Sequence, residues 1–300
     1  MTPPYLLKVS ITVPAEAEEV VASLFESILR QPLALSTDAD TLRTEISAFF
    51  ASASGFSESR KRRLAAGLDR LRRDGVPMGR AHLRHRILPA KDWAESWKRH
   101  FQPLEIGSQL LIKPSWSRRR ARAGQAEVVL DPGLSFGTGQ HPTTAFCLAQ
   151  VVAGRPRPGS PASLWDAGTG SGILAIAAAK LGYERVEAFD YDPAAVRIAR
   201  ENARLNGVHR QIKLQRRDLT RIEATGEGRF SVVCANLLAP LLLAERDRLA
   251  GRLQPGGRLV LAGILAAEFA RVRSHYEAAG WRLISSRTVR EWRSGAFTRP

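Results

Sequence analysis

The stretch LWDAGTGSG at positions 164–172 decides the fold of this 300-residue chain. It begins in a short apolar run and leads into the alanine-rich segment 173–181, whose composition favours a helix. Glycines at alternate positions let the backbone turn tightly and come close to a ligand, while the first turn of the helix offers unpaired N–H groups. The stretch therefore predicts a ligand-binding turn between a buried strand and a helix.

The chain on the C-terminal side of this turn keeps alternating between strands and helices. Such alternation predicts a parallel, doubly wound sheet with helices on both faces, a Rossmann-like α/β fold. The triplet Pro255-Gly256-Gly257 predicts a turn before the fifth strand. The predicted strands are 164–166, 186–189, 212–214, 231–235 and 258–262, and the predicted helices are 173–181, 194–205, 240–253 and 266–279.

Residues that can contact a ligand stand at the ends of the predicted strands. Asp190 closes the second strand, Asp218 follows the third and Asn236 closes the fourth. The carboxyl ends of parallel strands share one edge of an open sheet, where ligands bind. Asp190 can accept both hydroxyls of a ribose, Asp218 fits either an adenine contact or a loop acid, and Asn236 fits either a ligand contact or a bond to its own turn. A nicotinamide-dinucleotide site is disfavoured, because Ile173 stands where that fingerprint needs glycine or alanine.

A second dense segment, LDPGLSFGTGQHPTT at positions 130–144, precedes these strands. Its glycines, prolines and threonines exclude an ordinary strand or helix and predict a structured loop. A helix should follow, with Thr143 or Thr144 as its N-cap. His141 is the titratable side chain of the loop, and a packed loop histidine is favoured over a catalytic one.

The first ninety residues follow a different pattern, in which period-two alternation and helical spacing take turns. The element order β-α-β-β-α-β is typical of a ferredoxin-like domain. The segment of the third predicted strand, 42–48, is also compatible with a helix. The predicted strands are 7–13, 33–35, 42–48 and 81–87, and the predicted helices are 15–30 and 57–73.

The segment 92–101, DWAESWKRHF, predicts a short connecting helix, because its aromatic residues recur every four positions. A chain of this length can bury two cores. We therefore predict a ferredoxin-like recognition domain at 1–89, a linker helix at 90–102 and the larger α/β domain at 103–300.

The chain is strongly basic, with 45 Lys+Arg against 29 Asp+Glu and a formal net charge of +16. Residues 1–50 hold 3 basic and 7 acidic side chains, whereas residues 51–100 hold 13 basic and 5 acidic ones. This regional excess favours either contact with nucleic-acid phosphates or an arginine-rich codon bias, and composition does not separate the two. Exchanging these arginines should change association with such a partner more than ligand binding at the glycine turn.

Other compositional features exclude further classes of protein. Two cysteines, Cys147 and Cys234, are too few for a disulfide scaffold and lack metal-ligand spacing, which predicts a reducing, cytoplasmic setting and no metal. No segment has the roughly 18 apolar residues that a membrane span needs, and the N-terminus is unlike a signal peptide. We expect a soluble monomer.

Several motifs together resemble one family of class I methyltransferases, the methyltransferases of large-subunit ribosomal protein eleven. The likeness covers residues 92–300 and includes LDPGLSFGTGQHPTT, DAGTGSGILAIAAAKLG, DYDPAAV, ENARLNGV, ANLLA, PGG and AGIL. The resemblance implies a ferredoxin-like domain, a linker helix and a class I methyltransferase domain. It further implies S-adenosylmethionine as cofactor, and methylation of lysine ε-amines and the N-terminal α-amine of that ribosomal protein, free or on the ribosome.

The resemblance also implies which residues form the site. The implied cofactor contacts are Thr144, Gly168, Gly170, Asp190, Asp218 and Asn236, with Phe136, Gly137 and Thr138 in a loop that closes over the methionine end of the cofactor. Asn236 would also position the acceptor amine. Ribosomal RNA would contact the basic region 60–122.

The sequence departs from the family pattern in places that leave other functions open. Thr169 stands where the family has cysteine, and this chain is basic where typical members are acidic. An RNA methyltransferase is the main alternative, although the run Asn236-Leu237-Leu238-Ala239 lacks the N-P-P-aromatic pattern of base methylation. A lysine methyltransferase of another protein and a non-enzymatic binding module also stay open.

Overall fold

The computed structural model describes residues 5–29, 31, 33–38, 41, 43–50, 52, 55–79, 81–89, 102–131, 141–224 and 229–299. The chain divides into two compact units, Met1–His100 and Phe101–Pro300. Within the described ranges, no helix is long and apolar enough to cross a membrane. The predicted linker helix at 90–102 falls almost wholly outside these ranges.

The first unit is a four-stranded antiparallel sheet with two helices. The strand order is β2-β3-β1-β4, with every neighbouring pair antiparallel. This is the predicted ferredoxin-like arrangement. Its elements are β1 Tyr5–Pro14, α1 Glu18–Leu29, β2 Leu33–Asp38, β3 Arg43–Phe50, α2 Glu58–Arg73 and β4 Arg84–Pro89.

Apolar residues at alternate positions of the central strands form the core of this unit. Val9 and Ile46 are fully buried or nearly so, and they belong to one cluster with Phe25 of α1 and Leu64 of α2. Both helices therefore cover the same face of the sheet. The described residues of the segment 42–48, for which a helix was also compatible, belong to strand β3, because their alternate apolar side chains meet those of β1. Ser57 caps α2 through a bond from the Arg60 N–H to its hydroxyl.

The second unit contains a seven-stranded sheet in the order β10-β9-β8-β11-β12-β14-β13. The first five strands in this order are parallel, and the last two are antiparallel additions. Its strands are β8 Ser163–Ala167, β9 Arg185–Asp190, β10 Ile212–Arg216, β11 Phe230–Asn236, β12 Leu253–Leu265, β13 Arg282–Val289 and β14 Trp292–Thr298. Its helices are α3 Pro142–Ala153, α4 Ile173–Lys180, α5 Pro193–Leu205, α6 Ala239–Ala244, α7 Arg246–Ala250 and α8 Ala266–Glu277.

Separate apolar clusters lie on the two faces of this sheet. One cluster joins α3 and α4 to residues such as Leu164 and Val260, and the other joins α6 and α8 to residues such as Trp165 and Leu259. Neighbouring residues of one strand thus face opposite helical layers, which is the predicted doubly wound architecture.

A small three-stranded sheet shares the apolar core of this domain, and one asparagine bonds its edge strand. The sheet consists of β5 Leu104–Ile106, β6 Leu110–Lys113 and β7 Ala126–Val129. Asn206, which follows α5 and is 6% exposed, accepts a bond from the Val129 N–H (2.8 Å) and donates to the Val129 carbonyl (2.7 Å). The amide therefore takes the place of a neighbouring strand for the edge strand β7.

Asn206→Ala is expected to lower the free energy of unfolding of the second unit by about 2 kcal/mol, because it leaves half-buried backbone groups of Val129 without these partners. Denaturant titration measures the loss. Asn206→Asp keeps an acceptor for the Val129 N–H but turns a carboxylate toward the Val129 carbonyl, so it should cost at least as much. If Asn206→Ala is as stable as wild type, the hydrogen bonds between Asn206 and Val129 do not contribute to stability.

The structure corrects the sequence prediction at several element boundaries. The predicted helix 240–253 is two helices, α6 and α7, which meet at Glu245. The Pro-Gly-Gly triplet lies inside β12, where Leu253 pairs with Phe230 but Arg258 already pairs with Val232. The intervening residues bulge out of the ladder, so the chain bends without ending the strand. Strands β5, β13 and β14 were not predicted.

Candidate active site

The glycine turn after β8 is fixed to the end of β9. The N–H groups of Gly168 and Thr169 both donate to the carbonyl of Phe189, at 3.0 and 2.9 Å. Gly168 and Gly170 have φ of +74° and +54°, a region that favours glycine. A Cβ at Gly168 would lie 2.6 Å from Leu237 Cδ2, so a larger residue there would displace the end of this leucine side chain. The turn thus exposes backbone at the start of α4.

Asp190 binds the same turn through its side chain. Its Oδ2 accepts from the Gly170 N–H (3.0 Å), and its Oδ1 accepts from the Asp192 N–H (3.1 Å). Each carboxylate oxygen has a second lone pair, so the half-buried carboxylate can still accept two hydroxyl groups. Backbone bonds therefore hold Asp190 in the orientation that recognition of a ribose needs.

Asp166, the first residue of the glycine motif, is buried beneath the turn. It is 1% exposed, and the Thr169 hydroxyl donates to its Oδ2 at 2.6 Å. Burial raises the pKa of Asp166 to about 7, against the hydrogen bond from Thr169 and with a smaller contribution from the charge of Asp190. A change of pH near neutrality therefore changes the protonation of this buried carboxyl group.

The raised pKa of Asp166 makes a prediction about stability and pH. In the unfolded chain the carboxyl loses its proton near pH 4, whereas in the folded chain it does so near pH 7. The folded state holds more protons between these values, so this group's contribution to the free energy of unfolding falls as pH rises through that window and then levels off. Asp166→Asn should remove this loss.

Denaturant titrations of wild type and Asp166→Asn at pH 5, 6, 7 and 8 measure the effect. The asparagine keeps the acceptor for the Thr169 hydroxyl and carries no charge. We expect the stability of the variant relative to wild type to increase with pH. A difference that stays constant across the series would contradict the assignment.

Asp218 follows β10 and first of all stabilises its own turn. Its Oδ1 accepts from the Thr220 N–H (3.0 Å) and the Thr220 hydroxyl (2.8 Å), which caps the short 3₁₀ helix Leu219–Arg221. These bonds hold the pKa of Asp218 below its usual value. Of the two roles left open by the sequence, the loop acid is the one seen in these contacts, and an adenine contact stays a prediction.

Asn236 closes β11 beside a glycine of β12. A Cβ on Gly263 would lie 3.1 Å from Asn236 Oδ1 and 2.7 Å from the Leu237 carbonyl. The Leu237 N–H donates to the carbonyl of Ala262 (3.0 Å), which continues the ladder past the end of the strand. The chain after Asn236 therefore crosses close to β12, and the Leu237 side chain reaches the glycine turn.

Helix α3 brings Thr144 and His141 to this region. The predicted N-cap at Thr143 or Thr144 is wrong, because α3 begins at Pro142 and His141 is the capping residue. His141 Nδ1 lies 2.7 Å from the Thr143 hydroxyl, and its ring meets that of Trp292 edge-on at 5.1 Å. Burial lowers the pKa of His141, partly offset by the charge of Glu291. His141 is nevertheless exposed as a residue, so these two contacts orient its ring without burying it, and the choice between a packed and a catalytic histidine stays a prediction.

Four of the predicted positions occupy one edge of the sheet. Gly168, Asp190, Asp218 and Asn236 stand at the carboxyl ends of β8, β9, β10 and β11, four strands that are adjacent in the order of the sheet. The predicted loop residues Phe136, Gly137 and Thr138 lie outside the described residues. Contact with a cofactor stays a prediction for each of these positions and for Gly170 and Thr144.

The sequence interpretation missed apolar residues at the same edge. Tyr191, directly after Asp190, is 73% exposed, and Leu238, two residues after Asn236, is 70% exposed. The sequence did offer a signal for both, because each is a large apolar residue within two positions of a predicted strand end. Trp292 belongs to the pair Glu291-Trp292, which is part of the family resemblance, but no site role was predicted for it.

The two cysteines are buried, and the described residues contain no metal-binding group. Cys147 and Cys234 are fully buried in the core, where burial raises the pKa of each thiol. Within the described ranges, no three His, Cys, Asp or Glu side chains are grouped so that they could hold a metal ion.

Comparison with known proteins gives a consistent result. A family model described as ribosomal protein L11 methyltransferase (PrmA) matches residues 7–300. A ribosomal protein L11 methyltransferase of Pelotomaculum thermopropionicum is 35% identical over 294 residues, covering 91% of this chain and 92% of that protein. Its counterpart from Trichlorobacter lovleyi is 44% identical over 210 residues, covering 69% of this chain and 68% of that protein. The crystal structure of a ribosomal protein L11 methylase from Lactobacillus delbrueckii subsp. bulgaricus matches with a TM-score of 0.59 and 31% identity, covering 66% of this chain and 99% of that chain.

Proposed function

Since this chain belongs to the ribosomal protein L11 methyltransferase family, we propose that it transfers methyl groups from S-adenosylmethionine to amines of ribosomal protein L11. The chain is a class I methyltransferase, an enzyme that uses S-adenosylmethionine. The proposed acceptors are lysine ε-amines and the N-terminal α-amine of L11. The observation that carries the proposal is the family match, which spans residues 7–300 and so includes both units.

The residues at the sheet edge fit this cofactor. The turn at Gly168 and Gly170 brings backbone close to the ligand space, and both residues have positive φ angles that favour glycine. Asp190 keeps two acceptor positions for the ribose hydroxyls. Asp218, Thr144 and Asn236 are the further contacts that we propose.

When bound, S-adenosylmethionine supplies a methyl group that its sulfonium makes electrophilic. The acceptor amine would take this methyl group, and the cofactor would leave as the neutral thioether S-adenosylhomocysteine. A lysine amine has a pKa of about 10.4 and is protonated in neutral water. The protein must therefore take the amine out of water, which lowers the pKa of the amine, and hold it in line with the methyl group.

We assign the positioning of the amine to Asn236, whose side-chain carbonyl can accept a hydrogen bond from the amine N–H. The proton that leaves the amine passes to water, and no side chain is proposed as general base. His141 is not used, because its Nδ1 is already engaged with Thr143 and its ring with Trp292.

The proposal is tested by incubating the enzyme with radiolabelled S-adenosylmethionine and dissociated ribosomes. Label in ribosomal protein L11 is the expected result. Label confined to RNA would reject the protein-methyltransferase proposal, and label in another protein would reject its substrate. Calorimetry without detectable binding of S-adenosylmethionine would reject the cofactor assignment.

We further propose that the enzyme is a cytoplasmic monomer that acts on L11, free or on the ribosome, and that the basic region 60–122 contacts ribosomal RNA. In this region Arg62 and Arg63 of α2 are exposed, as are Arg118 and Arg120 of the loop 117–124. In that loop Arg119 instead pairs with Glu105. Exposed arginines without an ion pair among the described residues are the ones available to phosphates.

Arg118→Gln combined with Arg120→Gln should weaken ribosome association and reduce its dependence on salt, because fewer phosphate counterions are then released. Co-sedimentation across a salt series measures this slope, and calorimetry should find unchanged affinity for S-adenosylmethionine. Arg246→Gln, outside the basic region, is the control. Equal slopes for all three proteins would remove the RNA contact from the proposal.

A further inference from the structure

One edge of the seven-stranded sheet is strand β10, and this edge carries mostly positive charge. Residues 209–221, which include β10, hold five Lys or Arg and one Asp. Lys213, Arg217 and Arg221 are all exposed, and so is Arg185 at the start of the neighbouring strand β9. The methyltransferase unit therefore has a basic surface of its own.

An acid in β9 joins the first two of these side chains. Glu187 accepts from the Arg185 guanidinium at 2.7 Å and lies 3.5 Å from the Lys213 ammonium. Trp165, Glu187 and Lys213 are register partners in β8, β9 and β10, so their side chains point to the same face of the sheet. On this face the Arg185 guanidinium lies 4.4 Å from the centroid of the Phe230 ring.

Stacked rings continue this surface across the sheet. The Phe230 ring stacks on Trp165 with centroids 6.5 Å apart, and the Arg252 guanidinium lies 5.8 Å from the Trp165 centroid. Arg252 in turn lines a cavity of about 360 Å³ together with Arg217 and Arg221. These contacts link five cations into one surface, which we call the β10 basic surface: Arg185, Lys213, Arg217, Arg221 and Arg252.

Acidic side chains neutralise only part of this charge. Glu187 is shared between two of the cations. Asp218 lies 3.7 Å from Arg221, and Glu223 lines the cavity. Counted over the described residues of the surface, five cations stand against these three acids. Arg229, exposed just before β11, adds to the positive excess.

Two structural roles account for only part of this arrangement. The arginine stems over Phe230 and Trp165 cover these buried rings, which stabilises the fold. Charged side chains on an edge strand also prevent pairing with another sheet, but either sign of charge would do this. Strand β10 ends at Arg216, so Arg217 and Arg221 lie beyond it and have neither role. An anionic partner explains why these positions are basic.

We propose that the β10 basic surface binds the phosphate backbone of double-helical RNA. Guanidinium groups offer paired N–H donors that match phosphate oxygens, and a lysine adds a point charge. The rings of this surface are buried, with Trp165 3% and Phe230 1% exposed, so they offer no platform on which single-stranded bases could stack. Contacts with phosphates suit a helix, whose bases are already paired and stacked.

This inference rests on the proposed function, since a substrate on the ribosome brings ribosomal RNA with it. The proposed function assigns an RNA contact to residues 60–122 and none to the β10 basic surface. The Arg217 N–H donates to the Asp190 carbonyl at 3.0 Å, so the surface begins beside the carboxyl edge of the sheet. RNA bound there would hold the proposed cofactor edge close to the ribosome.

The test measures binding of a fluorescently labelled RNA duplex of about 20 base pairs by anisotropy, over a series of salt concentrations. One variant combines Lys213→Gln, Arg217→Gln and Arg221→Gln. It should bind the duplex about tenfold more weakly than wild type. The slope of log K against log salt concentration should be smaller by about 2, because up to three phosphate contacts are lost.

The matched control removes three positive charges near the opposite edge of the same sheet. It combines Arg271→Gln in α8 with Arg282→Gln and Arg287→Gln in β13, the strand at the other end of the sheet order. All three arginines are exposed, so the two triple variants have the same net charge and similar surfaces. The control should keep the wild-type affinity and slope. Equal losses in the two triple variants, or no duplex binding by wild type, would overturn the proposal.

Two further measurements keep the result specific. Calorimetry with S-adenosylmethionine should find wild-type affinity in the β10 variant, which shows that it is folded. If that affinity falls, Lys213→Gln alone decides, because it leaves Glu187 bonded to Arg185. Its slope should be smaller by about 0.7–0.9, and an unchanged slope would overturn the proposal. A loss seen only with a single strand of the same length would reject the helix as ligand.

The duplex measurement involves neither L11 nor methyl transfer, so it separates this inference from the proposed function. If radiolabelling does not mark L11, the proposed function is rejected, while duplex binding still tests the surface. Labelled L11 together with a wild-type slope in the β10 variant would reject only the RNA contact of the β10 basic surface.

Discussion

Asp190→Ala is expected to weaken binding of S-adenosylmethionine by about 100-fold, because two charge-assisted hydrogen bonds to the ribose are lost. The same change leaves the Gly170 and Asp192 N–H groups without the acceptor they have in the structure. The glycine turn should therefore loosen as well. Calorimetry with S-adenosylmethionine and with S-adenosylhomocysteine measures the loss.

Two further variants make this result specific. Asp190→Asn keeps the size but turns an NH₂ group toward one of the two N–H donors, so it should also bind poorly. Asp247→Ala removes an exposed acid whose partner is Arg246, and it should bind like wild type. Full cofactor affinity in Asp190→Ala would place the ribose elsewhere and reject the site as described.

Gly172→Ala is expected to destabilise the second unit by about 3 kcal/mol. Gly172 precedes α4 with φ of +82°, where an L-residue costs roughly 1–2 kcal/mol. A Cβ there would also lie 3.0 Å from the Cβ and 3.2 Å from the Cα of Ala199 in α5. Because the nearest atoms include helix backbone in a buried interface, α5 would have to move.

Gly182→Ala is the matched control for backbone strain. Gly182 has φ of +87°, but nothing lies within 4 Å of its Cβ position. This variant should cost only about 1 kcal/mol, and the difference between the two measures the contact with α5. Denaturant titration of the two variants decides, and equal losses would mean that Gly172 is required by its φ alone.

Regular patterns predicted most of the architecture. The glycine turn of 164–172, the parallel strands β8 to β12 and the ferredoxin-like order of the first unit could be predicted, because apolar periodicity and glycine spacing are local properties of the chain. The boundaries of β12 and of α6 and α7 could not. A bulge that absorbs Pro255 and Gly256 depends on the pairing partner in β11, which the local sequence does not contain.

The site was also predictable only in part: its polar residues could be named from the sequence, but its apolar residues could not. Gly168, Asp190, Asp218 and Asn236 could be named in advance, since residues after parallel strands must meet at one edge. The strand order was needed to show that these four residues follow strands that are neighbours in the sheet. Asn206 and Trp292 were missed, because their partners are about 77 and 151 residues away in the chain.

The sequence by itself thus determined the fold class, the family and the polar residues of the cofactor site, because each depends on residues within a few positions of one another. Only the tertiary structure decided that Asp166 is buried with a pKa of about 7 and that Gly172 stands against α5. The physical reason is that burial and close packing arise between elements that are distant in the sequence, so they exist only in the folded structure.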